Sequence, residues 1–152
     1  MARILEKTVE LKSSPGKFLD LIVGKQHQVS SVCPSFIQGF ELREGEMGKV
    51  GSIVLWRYVQ DGEEKMMMEM MDSIDLENNK VTFKVLDGDL MKEYTHFLIT
   101  LQVTSKEGHV GSVAHWHFKY VKNNKKVADP ESLLQFAVEV SKTIDEHLFS
   151  RE

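Results

Sequence analysis

Between Lys65 and Asp72 the chain reads Met66-Met67-Met68-Glu69-Met70-Met71, five of its eight methionines around one carboxylate. Thioether side chains are flexible and polarizable and fit irregular apolar shapes. In an extended segment alternate side chains share a face, so Met66, Met68 and Met70 fall on one side and Met67, Glu69 and Met71 on the other. With the even set inward, Met66, Met68 and Met70 form a soft wall suited to varied apolar ligands, and these three are the ligand-contact candidates, with the face that lines the interior left open. With the other parity Glu69 points inward as a lone acid, where a catalytic or ligand-anchoring role opens to it.

Three further groups bear on chemistry. His115 and His117 lie on one face of a strand, roughly 6.5–7 Å apart at strand spacing, with His96 as a diagonal neighbour. Three histidines in reach suit zinc. Their parity places them on the solvent face without a carboxylate behind them, so no metal site is assigned. Gly45, Gly48 and Gly51 run into Ser52-Ile53-Val54-Leu55-Trp56. A phosphate loop needs a helix after it, whose N–H groups bind the anion, and here a strand follows. The segment reads as a glycine-rich hairpin. Lys122 and Asp145 are polar groups that fit a cavity mouth and equally a solvated surface. There is no nucleophile elbow, and no Ser-His-Asp grouping emerges from the spacing.

The elements that would position these residues follow from punctuation. Ile4 to Leu11 alternates as a first strand. Ser14-Pro15 opens a short helix with Ser14 as N-cap, and Phe18, Leu21 and Ile22 form its apolar stripe. Gly24 ends it, and residues 27–32 form a second short helix before Cys33-Pro34. Strand-like runs then cover about 36–43, 52–60, 63–74, 80–86, 91–104 and 112–121. Asp61-Gly62, Glu77-Asn78-Asn79, Asp87-Gly88-Asp89 and Lys106-Glu107-Gly108 separate the later runs with residues that accept positive φ or bond their own backbone. Asp129-Pro130-Glu131 opens a last helix of about 20 residues, with Leu133, Ala137, Val140, Ile144 and Leu148 at helical spacing.

Short turns imply sequential antiparallel neighbours. The expected class is α+β: a seven-stranded curved antiparallel sheet wrapped around the long C-terminal helix, with two short helices after the first strand. Residues 1–152 are expected to form one domain. A turn near Glu107-Gly108 pairs Phe97 with Phe118, Ile99 with Trp116 and Leu101 with Ala114, placing both apolar rows on one face. A hairpin at Asp87-Gly88 pairs Val81 with Tyr94. Reconciling the two parities requires a β-bulge between about Lys92 and Phe97.

Composition narrows the partners. Lys and Arg number 19, Asp and Glu 23, for a net charge of −4, with the two signs interspersed. A nucleic-acid or anionic-membrane partner would call for a basic stripe, so neither is expected. The first 14 residues hold only Ile4-Leu5 before charge resumes, so no signal-peptide core is expected, and no stretch reaches the roughly 18 apolar residues of a spanning helix. A cytoplasmic protein is expected, monomeric or a weak homodimer, without a cofactor. The lone Cys33 allows no internal disulfide.

Several features in order resemble the major latex proteins, a branch of the plant superfamily of the birch-pollen allergen and class-10 pathogenesis-related proteins. They are Ser14-Pro15-x-Lys17-Phe18, Glu44-Gly45 with Gly48 and Gly51-Ser52-Ile53, Ile74-Asp75-x-Glu77-Asn78, the run Asp87-Gly88-Asp89-Leu90-Met91-Lys92-Glu93-Tyr94, Trp116-x-Phe118-x-Tyr120-x-Lys122, and Asp129-Pro130 with Phe136-Ala137-Val138. The resemblance covers essentially the whole chain. It implies the fold drawn above, a large cavity between sheet and helix, and binding of a hydrophobic or amphipathic small molecule of steroid, flavonoid, hormone or alkaloid type, linked to defence or specialised metabolism. Val54, Trp56 and Tyr58, the even methionines, Phe83, Tyr94, Phe97, Ile99 and Leu101, Trp116, Phe118 and Tyr120, and helical Phe136, Ala137 and Val140 would contact it. Some relatives are enzymes of alkaloid biosynthesis. An isomerase or condensation catalyst is therefore the alternative, with Glu69, Tyr94, Tyr120 and Lys122 as its acid–base candidates.

Overall fold

The structure, a computed structural model, describes residues 1–108 and 110–150. Seven strands form one antiparallel sheet in the order β1-β7-β6-β5-β4-β3-β2. They are β1 (Arg3–Leu11), β2 (Ile37–Glu44), β3 (Ile53–Gln60), β4 (Glu63–Asp75), β5 (Lys80–Gly88), β6 (Tyr94–Ser105) and β7 (Ser112–Lys122). Helices α1 (Pro15–Val23) and α2 (Val29–Val32), joined by a 3-10 turn at Gln26–Gln28, lie between β1 and β2, and the long α3 (Glu131–Ser150) closes the chain. The expected α+β architecture is the observed one.

Helix α1 begins where Pro15 presets φ, although the Ser14 side chain makes no capping bond. It buries Phe18, Leu19, Leu21 and Val23. Helix α3 is held to the sheet by polar pins as well as by its apolar stripe. Trp116 Nε1 donates to Ser141 Oγ at 2.8 Å, and Ser141 in turn donates to the Ala137 carbonyl at 2.7 Å. Asp145 is not a solvated charge. It is 6% exposed and accepts from the Lys12 and Ser13 amides and the Ser13 hydroxyl at 2.8, 2.9 and 2.6 Å. These bonds fix α3 to the end of β1.

Strand register departs from the sequence reading in two places. β6 and β7 pair Phe97 with Tyr120, Ile99 with Phe118 and Leu101 with Trp116. This is two residues from the expected register, because the connecting segment runs from Lys106 to Gly111 before Ser112 pairs with Ser105. A shift of two preserves the face, so Ala114, Trp116, Phe118 and Tyr120 are buried as expected. Val81 pairs with Leu101 and not with Tyr94. Asp87-Gly88 makes no tight hairpin. Gly88 instead continues the β4 ladder opposite Met67, at φ 111°, where an added Cβ would meet the Met66 carbonyl at 2.2 Å. A 3-10 turn at Asp89–Lys92 then leads into β6. The register of β6 against β7 shifts between Tyr94 and His96, inside the window where the bulge was expected.

Candidate functional site

The parity of the methionine run is decided by the turn that precedes it. Asp61 and Gly62 have φ of 53° and 78°, a two-residue turn whose twist suits a tight hairpin. Gln60 then faces Glu63, Tyr58 faces Lys65, Trp56 faces Met67 and Val54 faces Glu69. Cross-strand partners share a face, so Trp56 and Tyr58 carry the odd residues of β4 inward. Met67, Glu69 and Met71 are buried, 2–6% exposed. The candidates Met66, Met68 and Met70 are corrected: they pair with Arg57, Leu55 and Ile53 on the face away from the cavity, and the odd set takes the inner one.

A cavity of about 130 Å³, partly open, lies between this face, the short helices and α3. The large cavity implied by the resemblance is therefore a small one here. Of the residues assigned to it, Trp56, Tyr58, Phe83, Ile99, Trp116, Phe118, Phe136, Ala137 and Val140 line it. Val54, Tyr94, Phe97, Leu101 and Tyr120 are buried but do not line it. Six lining residues were not foreseen: Ile22, Gln26, Val29, Ile37, Met67 and Leu133. Phe136 reaches across to Tyr58 with ring centroids 5.4 Å apart, so α3 and β3 touch beside the hollow.

Glu69 is the one carboxylate on this surface. Burial pushes its carboxyl up to about 7, and the Trp56 indole N–H, donating to Oε1 at 2.9 Å, offsets part of that by favouring the charged form. An acid poised there both gives and takes a proton near neutral pH. Burial, with Asp89 and Glu69 nearby, raises the Tyr58 hydroxyl well above the usual range, so it stays a neutral phenol. No hydrogen bond among the described residues reaches that hydroxyl. Gln26 is 1% exposed, and its Oε1 is buried without a partner. Leaving such a group unpaired costs about 1–3 kcal/mol.

The other acid–base candidates gather elsewhere. Tyr120 donates to Asp129 Oδ1 at 2.7 Å, Lys122 Nζ lies 3.1 Å from that same oxygen, and Arg3 Nε lies 3.4 Å from it. Tyr94 donates to the Ala128 carbonyl at 2.5 Å. Burial, with Asp129 accepting its proton, holds the Tyr120 hydroxyl at about 12. This cluster ties the segment before α3 to the sheet, and Tyr94, Tyr120 and Lys122 do not reach the cavity. Asp129 spends its carboxylate here and not as a helix cap.

The glycine segment is a loop stitched to the sheet. Gly45, Gly48 and Gly51 have φ of 78°, 81° and 91°, which only glycine adopts freely. The amides of Lys49, Gly51 and Ser52 donate to the carbonyls of Glu46, Met71 and Lys49. Those three donors are spent on the protein itself, and a strand follows the loop where a phosphate loop has a helix N-terminus. His115 Nε2 lies 2.6 Å from Glu6 Oε1, and His96 sits opposite Val121, four positions along β7 from His117; among the described residues no group of three His, Cys, Asp or Glu could hold a metal ion. The thiol of Cys33, 1% exposed, is pushed up to about 11 by burial and donates to the Val29 carbonyl.

Comparison with known proteins agrees with this architecture. The profile of the Pathogenesis-related protein Bet v 1 family matches residues 1–151. MLP-like protein 31 of Arabidopsis thaliana is 54% identical over 97% of this chain and 86% of its own length. MLP-like protein 34 of the same plant is 57% identical over 97% of this chain, which spans only 47% of that protein. The crystal structure of ginseng major latex-like protein 151 from Panax ginseng superposes with a TM-score of 0.92 at 35% identity, covering 97% of each chain. The chain belongs to the pathogenesis-related Bet v 1 family, in its major latex protein branch. Among the described residues no helix is long and apolar enough to cross a membrane.

Proposed function

We propose that this chain is a small-molecule-binding protein that holds a hydrophobic or amphipathic ligand between its sheet and α3. It would act in the plant cytoplasm, in defence or specialised metabolism, as a monomer or weak homodimer. One observation carries the reading: the sheet and α3 leave about 130 Å³ unfilled behind a wall of aromatic and aliphatic side chains. Native interiors are close-packed, and a partly open apolar hollow forfeits packing that a ligand restores. Displacement of an environment-sensitive fluorescent probe by apolar metabolites tests it. Ala137 lines the hollow, and Ala137→Phe should fill it and abolish displacement while the fold persists. Probe binding unchanged by that substitution would place the ligand elsewhere.

Glu69 favours a second reading, an isomerase or condensation catalyst, because it brings a neutral-range acid to the cavity wall. Turnover on carbonyl and amine substrates that disappears in Glu69→Gln would support it. Equal turnover in that variant would dismiss it.

A further inference from the structure

β5 and β6 are joined along only part of their length. They pair over five positions, from Lys80 opposite Gln102 to Lys84 opposite Leu98. Beyond that point β5 stays with β4 as far as Gly88, and β6 stays with β7 as far as Tyr94. Each strand carries a bulge at this level. Leu86 is the extra residue of β5, between Val85 and Asp87, and Thr95 is that of β6, between Tyr94 and His96. A bulge bends its strand and increases the local twist, so the two strands part. The 3-10 turn at Asp89–Lys92 spans the open end. Asp89 Oδ2 ties it to β4 by accepting from the Met66 amide at 2.8 Å, and the Asn123 side chain, just after β7, donates to the Lys92 carbonyl at 2.7 Å.

The split leaves a partly open groove of about 650 Å³ on the outer face of the sheet, lined by both bulge residues. It shares no lining residue with the hollow under α3. Its floor is Val85, Phe97 and Tyr120, which are buried, and Leu86, Leu98 and Val121 bring partly exposed hydrocarbon to it. That volume is in the range of sites for small organic ligands. The strand edges that face the gap carry N–H and C=O groups with no ladder partner across it.

Charge selects the occupant. Lys84, Leu98 and Lys119 stand in one row across β5, β6 and β7, so two lysines flank an apolar residue. His96 lines the groove two residues from Leu98, and Asp72 is the one acid on the lining. None of the three basic side chains has a partner among the described residues. Lys122 and Arg3, by contrast, are spent on Asp129. On a chain of net charge −4, a local basic excess over a hydrocarbon floor suits an anion with an apolar body.

We propose that this groove is a second binding site, separate from the hollow under α3, for a free organic carboxylate with an apolar body. The hydrocarbon lies over Leu86, Leu98 and Val121. The carboxylate sits between Lys84 and Lys119 and accepts from their ammonium groups, with His96 as a further donor. A cation of the same shape meets the same hydrocarbon and two like charges.

The test is a methyl-selective NMR titration of the full chain with octanoate, octanol and octylammonium. Octanoate should give saturable shifts at Leu86, Leu98 and Val121, with an affinity about fivefold above that of octanol, the worth of one or two exposed ion pairs. Octylammonium should bind more weakly than octanol. The double substitution Lys84→Glu with Lys119→Glu changes two exposed side chains and should reverse the order, so that octylammonium binds best. Octanoate shifts confined to Ile22, Val29 and Leu133 would overturn the second site and leave the cavity-binding reading standing. Equal affinities for the three probes, or an order that survives the double substitution, would also overturn it. So would binding to vesicles of equimolar phosphatidylcholine and phosphatidylglycerol without binding of free octanoate, since the groove would then serve a membrane surface.

Discussion

Two sets of polar side chains stand at the buried face of the sheet, Gln26 reaching it from the 3-10 turn, and they are finished differently. Around Tyr94, Tyr120 and Lys122 the hydroxyls and the charge have protein partners within 3.1 Å, at the Ala128 carbonyl and the Asp129 carboxylate. The Tyr94 ring meets Phe97 and Tyr120 edge to face and Tyr120 stacks on Phe97, with centroids 5.2–5.7 Å apart. Around Gln26, Tyr58 and Glu69 the only described side-chain bond is the one from Trp56. Both sets carry tyrosines in apolar surroundings, so composition does not distinguish them. The first is built to hold the chain together. The second leaves Gln26 Oε1 buried without a described partner, beside the cavity of about 130 Å³.

The contrast is most exposed to pH. Glu69 holds its proton to about 7 when folded, against 4.5 for an ordinary glutamate. Over that window the native state keeps a proton that the unfolded chain releases. The stabilisation is whole below the lower value and is lost as pH rises through the upper one, by up to about 3 kcal/mol. Denaturant titrations from about pH 5 to about pH 9 should show wild type losing ground to Glu69→Gln by that order. Parallel curves would mean that the carboxyl is solvated.

Side-chain direction on β4 is the next handle. Met67→Ala should cost about 2–4 kcal/mol because it enlarges a buried space. Met66→Ala, on the outer face, should stay within about 0.5 kcal/mol. The opposite ranking of denaturation midpoints would put the even methionines back inside.

A smaller and more telling pair compares the two polar sets directly. Tyr120→Phe removes a satisfied bond and should destabilise by about 1–1.5 kcal/mol. Gln26→Leu replaces an unpaired buried amide with hydrocarbon of similar size and should be neutral or stabilising by up to about 1 kcal/mol. If both cost the same, Gln26 is satisfied in solution and the contrast between the regions disappears.

Much of the architecture was readable because turns announce themselves chemically. Asp61-Gly62, Pro15 and Pro130 each fix a boundary for a stated backbone reason, and the strand limits follow from them. The alternation of Ala114, Trp116, Phe118 and Tyr120 survived a two-residue error in register, since a shift of two keeps the face. The methionine run was opaque for the converse reason. Apart from Glu69 every position from 66 to 71 is methionine, so hydrophobic alternation is silent. The deciding signal lay one turn earlier, where a two-residue hairpin ties inward Trp56 and Tyr58 to odd positions of β4. Gln26 had no such signal. Glutamine beside a short helical turn is usually exposed, and only the packing of its turn against α1, α2 and β2 buries it. The cavity's size was equally hidden, because it depends on how far Phe136 and Leu133 fill the space.

The central claim is that the space between sheet and α3 admits a small apolar molecule. Methyl-selective NMR during titration with toluene addresses it most directly. The account predicts saturable shifts at Ile22, Val29, Ile37, Ile99, Leu133 and Val140, which line the hollow, and none at Leu101 or Val103 in the solid core. Shifts that are absent, or spread evenly over both groups, would contradict it.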